Sequence, residues 1–237
     1  MILAIDTATN LASLALFDQK SRQVLSEESW QSVNNHTVEL MPRLVRMLDQ
    51  QTVSISDLDG VVVSLGPGSF TGLRIGIGLA KGLVLSKTSV GEDQDGGVPL
   101  VGVPTLDVVA RPHMEQKLPI WAILRAGRGR ICAVHYTRTR GRARGRWSRQ
   151  EPYQLTTIAE LCNEIEGDAL LCGEIDAEDA QLIRRRLGPS ATIASPAASL
   201  RRAAYLAELG WERLVKGQSD QATSLAPIYP QNPQIDG

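Results

Sequence analysis

The stretch Ser64-Leu-Gly-Pro-Gly-Ser-Phe-Thr-Gly-Leu-Arg-Ile-Gly-Ile-Gly-Leu-Ala-Lys-Gly-Leu83 is the most informative in the chain. The apolar run Asp59 to Ser64 reads as a buried strand, and it passes through a glycine-rich loop into a helix expected over Thr71 to Lys87. A loop of this kind turns backbone N–H groups toward the positive end of a helix, where a phosphate can be held. Neither nucleotide motif is matched, however. Gly66-x-Gly68-x-x-x-Gly72 misses the dinucleotide spacing by one residue, and no Lys-Ser/Thr pair follows, since Lys81 lies well down the helix. Ser69 lacks the G-x-S-x-G elbow of a serine nucleophile. Along the helix Gly72, Gly76 and Ala80 recur every four residues, a flat stripe that lets another backbone approach. Leu73, Ile75, Ile77, Leu79 and Leu83 to Leu85 leave only Arg74 and Lys81 charged, so nearly all of this helix asks for burial.

Upstream, His36 to Gln50 reads as a helix with Val38, Leu40, Met41, Leu44, Val45, Met47 and Leu48 spread over about half its circumference, where a surface helix needs a stripe about 100° wide. Pro42 implies a kink or a late start. Two consecutive helices with this much apolar surface exceed what one sheet face covers, which predicts burial between domains or against a partner protein. The candidate partner interface comprises His36, Leu40, Leu44, Leu48, Gly72, Arg74, Gly76, Ile77 and Ala80. Asp6-Thr-Ala-Thr9, after the first strand, supplies one acid and two hydroxyls, suited either to a magnesium-bound phosphate or to an ordinary Asp/Thr turn. Asp6, Thr7, Gly66 and Gly68 are the candidate cofactor-binding residues. No residue presents itself as catalytic and none as a metal ligand: His36, His113 and His135 form no H-x-x-x-H or H-E-x-x-H pair, and Cys132, Cys162 and Cys172 no C-x-x-C.

The strands Ile2 to Asp6, Ala12 to Phe17 and Val24 to Trp30 complete a β-β-β-α-β-α order in the amino-terminal part, and Ser89 to Pro99 has linker composition. After Leu100 to Val103 and a helix from Thr105, strands at Pro119 to Leu124, Ile131 to Thr137 and near Trp147 precede a helix at Thr156 to Ile165. Ala169 to Cys172, Ala177 to Leu187 and Ser199 to Lys216 follow as strand, helix and helix. The repeated order predicts an α/β protein of two mixed sheets flanked by helices, divided into lobes 1–98 and 99–237. The 237 residues are 43% hydrophobic with a net charge of −1, and a soluble globular protein is expected. Met1 runs straight into a strand without a signal-peptide n-region, and no long apolar run occurs, so a cytoplasmic location without membrane contact is expected. The near-zero total conceals nine Arg and no acid between Trp121 and Gln150, followed by nine acids and no Lys or Arg between Glu151 and Asp179. Either the two segments neutralise one another, or the run Thr137 to Trp147, with its arginines and one aromatic, contacts RNA.

These residues resemble the TsaB (YeaZ) family of the bacterial tRNA threonylcarbamoyladenosine machinery. The run S-L-G-P-G-S-F-T-G-L-R-I-G from Ser64 carries the resemblance. Ile2-Leu-Ala-Ile-Asp-Thr-Ala-Thr9, His36-Thr-Val-Glu-Leu-Met-Pro42, Val101-Gly-Val-Pro-Thr-Leu-Asp107 and Leu225-Ala-Pro-Ile-Tyr229 support it in the same order. The resemblance implies the actin-like ATPase (ASKHA) fold, two RNase H-like lobes, and a non-catalytic subunit that binds and activates the transferase TsaD. That enzyme modifies adenosine 37 of tRNA, so tRNA, a TsaE ATPase, ATP/ADP and metal are expected in the complex and not on this chain. The stretch matching the transferase's H-x-x-x-H motif reads Thr105-Leu-Asp-Val-Val109, and the family's usual D-A-R reads Arg125-Ala-Gly. Alone, the chain is expected to be able to form a homodimer through the same face. The enzyme alternative is a nucleotide-dependent phosphotransferase built on Asp6, Thr7 and the Gly66 loop. A peptidase reading finds neither a metal pair nor a nucleophile elbow.

Overall fold

The chain folds into two five-stranded sheets of identical topology. The structure, a computed structural model, describes residues 1–32, 35–86, 97–138 and 147–230. In the first sheet β1 (Ile2–Asp6), β2 (Leu11–Asp18) and β3 (Gln23–Gln31) form an antiparallel meander. β1 also pairs in parallel with β4 (Gly60–Gly66), and β4 with β5 (Leu100–Pro104), giving the order β3-β2-β1-β4-β5. The second sheet repeats this with β6 (Ile120–Gly127), β7 (Arg130–Arg138), β8 (Trp147–Thr156), β9 (Ala169–Gly173) and the short β10 (Ala191–Ile193), in the order β10-β9-β6-β7-β8. A meander whose first strand continues into parallel pairs is the RNase H-like lobe, and two of them make the actin-like fold read from the sequence.

Two compact units result, Met1–Thr105 with Arg201–Ile228, and Leu106–Leu200. This corrects the lobe boundary at residue 98. β5 hydrogen-bonds along β4, so it closes the first sheet instead of opening the second lobe. The last helix, α6 (Ala203–Leu214), returns to the first unit, where Gly210 lies against Val62 and Trp211 stacks at 5.7 Å on Phe17. The linker residues 89–96 lie outside the described residues.

In unit 1 the sheet is covered on both faces. Leu3, Ile5, Val61 and Val63 point to one side and join Leu40, Leu44, Met47 and Leu48 of α1 (His36–Gln50) and Ile77, Ala80, Leu83 and Val84 of α2 (Phe70–Ser86) in one core. Val62, on the alternate side of its strand, meets α6. α1 begins at His36 and runs unbroken through Pro42, which sits on its exposed side. In unit 2, α3 (Thr105–Ala110) sends Leu106 and Val109 into one face of the sheet with Leu124, Val134 and Tyr136. α4 (Ile158–Glu164) and α5 (Ala177–Leu187) cover the other through Ile158, Leu161 and Ile183. Caps mark both helix starts: Thr157 and Glu160 form a reciprocal capping box on α4, and Asp176 accepts from the Asp179 N–H on α5.

Neighbouring residues of α1 separate the inner from the outer face. Leu44 is fully buried and Val45 is 47% exposed. Leu44→Ala is expected to cost about 2–5 kcal/mol and Val45→Ala no more than about 0.5 kcal/mol, read by chemical denaturation of the isolated chain.

Candidate functional site

The Asp6–Thr9 turn at the end of β1 is where the first unit's elements converge. Asp6 is completely buried, and both of its carboxylate oxygens are bonded. Oδ1 accepts the Ala8 N–H at 2.9 Å and the Ser64 hydroxyl at 3.0 Å, while Oδ2 accepts Nε of Arg201 at 2.5 Å. The same guanidinium donates through Nη2 to Thr9 Oγ1 (3.0 Å) and to the Leu11 carbonyl (2.6 Å). The Thr7 hydroxyl, also buried, donates to the Gly72 carbonyl at 2.7 Å, and His36 Nε2 lies 3.1 Å from the Thr9 carbonyl at the start of α1.

The glycine loop packs directly on this turn. The Ser69 N–H donates to the Ala8 carbonyl at 2.6 Å, and a Cβ on Gly68 would collide with that same oxygen. Gly66, at φ +109°, has no room for one either, since the Ile228 carbonyl would stand 2.5 Å away, and its N–H is bonded to Thr105 Oγ1 at 3.0 Å. Ser69 is a helix cap whose Oγ accepts the Gly72 N–H at 3.2 Å. A nucleotide phosphate with its magnesium does not fit these residues, because a backbone carbonyl faces the loop where phosphate oxygens would need N–H donors. Asp6, Thr7, Gly66 and Gly68 are brought together as the sequence predicts, yet they bond one another and Arg201. Among the described residues no three His, Cys, Asp or Glu side chains lie close enough to hold a metal ion.

The partner-interface residues require a larger correction. His36, Leu40, Leu44, Leu48, Gly72, Gly76, Ile77 and Ala80 are all buried, and of the nine only Arg74 faces outward. The small-residue stripe does admit a close backbone, but that backbone is the chain's own: Cβ atoms at Gly72 and Gly76 would strike the Thr7 carbonyl and hydroxyl. The outer faces carry different residues. α1 exposes Val38 (67%), Met41, Pro42 and Val45, one turn apart. α2 exposes Phe70 (54%), Arg74, Gly78, Gly82 and Leu85, with the Arg74 guanidinium 3.6 Å from the Phe70 ring centre. Nothing lies within 4 Å of where a Cβ at Gly78 or Gly82 would be. The sequence signal for these two was a second G-x-x-x-G, offset by two residues from the Gly72–Gly76 stripe and on the opposite side of the helix.

In unit 2 the two oppositely charged segments partly neutralise one another. Arg125 pairs with Asp176 and Asp179, and its N–H donates to Glu174 at 2.9 Å. Arg149 pairs with Glu151 and with Asp107, both of whose oxygens accept Nη1 at 2.9 Å while one also accepts the Tyr136 hydroxyl at 2.6 Å. Burial, and secondarily the Asp107 charge, push the Tyr136 phenol well above its ordinary value. Trp147, the aromatic of the proposed RNA contact, donates its indole N–H to the Met114 carbonyl and packs on the core. Residues 139–146, the heart of that segment, lie outside the described residues. Burial pulls the pKa of His113 and of His135 below the usual imidazole value, and the His135 ring stacks on Trp121 at 4.5 Å.

Comparison with known proteins follows the same outline. The family model for TsaD, tRNA N6-adenosine threonylcarbamoyltransferase, matches residues 23–145, just over half of the chain. A Bacillus subtilis tRNA threonylcarbamoyladenosine biosynthesis protein TsaB is 30% identical over 231 residues, covering 96% of this chain and 93% of the relative. The Buchnera aphidicola (Schizaphis graminum) TsaB is 35% identical over 111 residues, so the match spans about half (47%) of each chain. The solved structure of YeaZ from Pseudomonas aeruginosa superposes with a TM-score of 0.74 at 22% identity, over 96% of this chain and 98% of that one, and shares its fold.

The two glycine pairs of α2 should respond oppositely to added methyl groups. Gly78→Ala is expected to stabilise the isolated chain by about 0.5–1 kcal/mol, and Gly76→Ala to destabilise it by about 1–3 kcal/mol, in denaturant titrations. With their pKa values held down by burial, His113 and His135 take up protons more readily in the unfolded chain. Stability is therefore complete above the unfolded imidazole value of about 6.5 and declines as pH drops from there toward the lower folded values. His113→Gln and His135→Gln together should flatten that acid limb of the melting profile.

Proposed function

Since the chain belongs to the TsaB family, with 30% identity to a member along nearly its whole length, we propose that it serves tRNA threonylcarbamoyladenosine biosynthesis as a non-catalytic subunit that docks on TsaD through the outer faces of α1 and α2. The bare glycines Gly78 and Gly82 carry this reading. Each costs an exposed helix about 0.5–1 kcal/mol relative to alanine, and among the described residues nothing lies within 4 Å of where a Cβ would stand at either, so packing among those residues gives no reason for their presence. A partner backbone crossing at that point supplies one, because only glycine lets two helices approach to within van der Waals contact of their main chains.

The flanking residues suit the same purpose. Val38, Met41 and Val45 on α1 and Phe70 and Leu85 on α2 are large apolar side chains in water on neighbouring helices. Arg74 over Phe70 is an aromatic–guanidinium pair of the sort enriched at binding hot spots. An interface of this composition is apolar at its centre, with Arg74 as a cation within it. The same exposed patch offers a second copy of the chain a place to self-associate when the partner is absent.

The Asp6 turn, whose carboxylate and hydroxyls are bonded to Ala8, Ser64, Gly72 and Arg201, weighs against a phosphotransferase built on Asp6, Thr7 and the Gly66 loop. In this reading the nucleotide, the metal and the transfer chemistry belong to TsaD, with a TsaE ATPase joining the assembly and tRNA bound by the complex.

Substitutions on the outer face separate docking from folding. Gly78→Glu and Met41→Glu place a charge on exposed positions and should leave the melting temperature of the isolated chain within a few degrees, while burying that charge in the complex is expected to weaken TsaD binding at least about tenfold. Size-exclusion chromatography with light scattering reads the complex, and threonylcarbamoyladenosine formation by the reconstituted system reads the consequence. A 1:1 complex retained by both variants would reject this face as the docking surface.

A further inference from the structure

Unit 1 contains a buried ion pair that docking does not require. Asp6 is 0% exposed and Arg201 3% exposed, and a carboxylate so completely removed from water must be matched by a positive charge and by hydrogen bonds to both oxygens. The neutral donors Ala8 N–H and Ser64 Oγ satisfy one oxygen. Arg201 satisfies the other, and the same guanidinium reaches Thr9 Oγ1 and the Leu11 carbonyl, so its planar fork joins the end of β1, the turn and the start of β2.

We infer that Arg201 is a resident cation standing where an acid-and-hydroxyl turn facing a glycine loop would otherwise hold a metal-bound phosphate, and that unit 1 is thereby assembled around its own guanidinium and closed to nucleotide. The other side of the turn is closed as well. The Ala8 carbonyl points at the loop and takes the Ser69 N–H, and Gly68 has only enough room for a hydrogen beside it. A phosphate entering there meets a carbonyl dipole of the wrong sign, and a metal ion arriving at Asp6 meets a guanidinium. The acceptors of Arg201 include a carboxylate, a hydroxyl and a carbonyl, all oxygen. That donor set also suits a hard divalent cation, so the turn keeps the chemistry of a cation site while its occupant is covalently part of the chain.

Chemical rescue of the full-length protein tests this. Arg201→Ala is expected to lower the melting temperature by about 10 °C, because a buried carboxylate is left alone. Millimolar ethylguanidinium should then recover a large part of the loss, and ethylammonium or potassium at equal concentration should not. Should Arg201→Ala fail to fold, Arg201→Met and the double variant Asp6→Asn/Arg201→Met decide. The double variant should melt higher than the single one, since it leaves no stranded charge. Magnesium-ADP should leave the wild-type melting temperature unchanged. The inference is overturned if Arg201→Ala melts within about 2 °C of wild type, if ethylguanidinium rescues no better than potassium, if the double variant is no more stable than Arg201→Met, or if magnesium-ADP stabilises the wild-type chain. These positions lie off the outer face of α1 and α2, so loss of TsaD binding by the outer-face variants neither supports nor weakens the result.

Discussion

A fully buried carboxylate at the end of the first strand constrains the arrangement of unit 1. Asp6 draws Arg201 to itself at the point where the chain returns from the second unit, and so fixes where α6 begins to lie across the first sheet. The two residues after Asp6 set the approach of α2: the Thr7 hydroxyl and carbonyl require glycine at positions 72 and 76, and the Ala8 carbonyl requires it at 68. Thr9, the last residue of the turn, receives His36 at the head of α1 and a second bond from Arg201. Three segments distant in sequence therefore meet on four consecutive residues, and a substitution there disturbs several elements together.

This arrangement explains why the two helices have sharply distinct faces. The inner face of α2 is small at Gly72 and Gly76, where it lies on the turn after β1, and large further along, where Ile77, Leu83 and Val84 enter the core beside α1. On its outer face Gly78 and Gly82 meet no packing partner among the described residues, which distinguishes them from Gly72 and Gly76. α1 divides in the same way, with Leu40, Leu44 and Leu48 inward and Val38, Met41 and Val45 outward. An apolar band of about half the circumference is two ordinary stripes, one for the chain's own sheet and one left in water.

Sequence periodicity revealed the helices and the repeated strand order but not the orientation of each stripe. α1 was legible to the residue from its apolar periodicity, and β1, β4 and β9 to within two from their short apolar runs. The inward stripe reads as a partner interface because burial of Gly72, Gly76 and Ala80 looks the same from sequence whether the neighbour is the β1 turn or another protein. Lobe membership was illegible for a different reason. β5 and α6 are local sequence elements whose sheet is chosen by long-range pairing, β5 with β4 and α6 with Val62 and Phe17. Arg201 went unnoticed as Asp6's counter-ion because nearly two hundred residues separate them. The basic run was partly readable: Arg125 pairs with Asp176 and Asp179 and Arg149 with Glu151, as opposite net charges in adjacent segments allow.

In the reading proposed above, the closed Asp6 turn and the space above Gly78 and Gly82, unfilled by any described residue, suit a TsaB-family chain that contributes a surface to the modification complex. Amide hydrogen exchange of the chain with and without TsaD tests that picture most directly. The account predicts slowed exchange concentrated in 36–50 and 70–86 on complex formation. Unchanged exchange in both helices, with protection developing elsewhere on the chain, would contradict it.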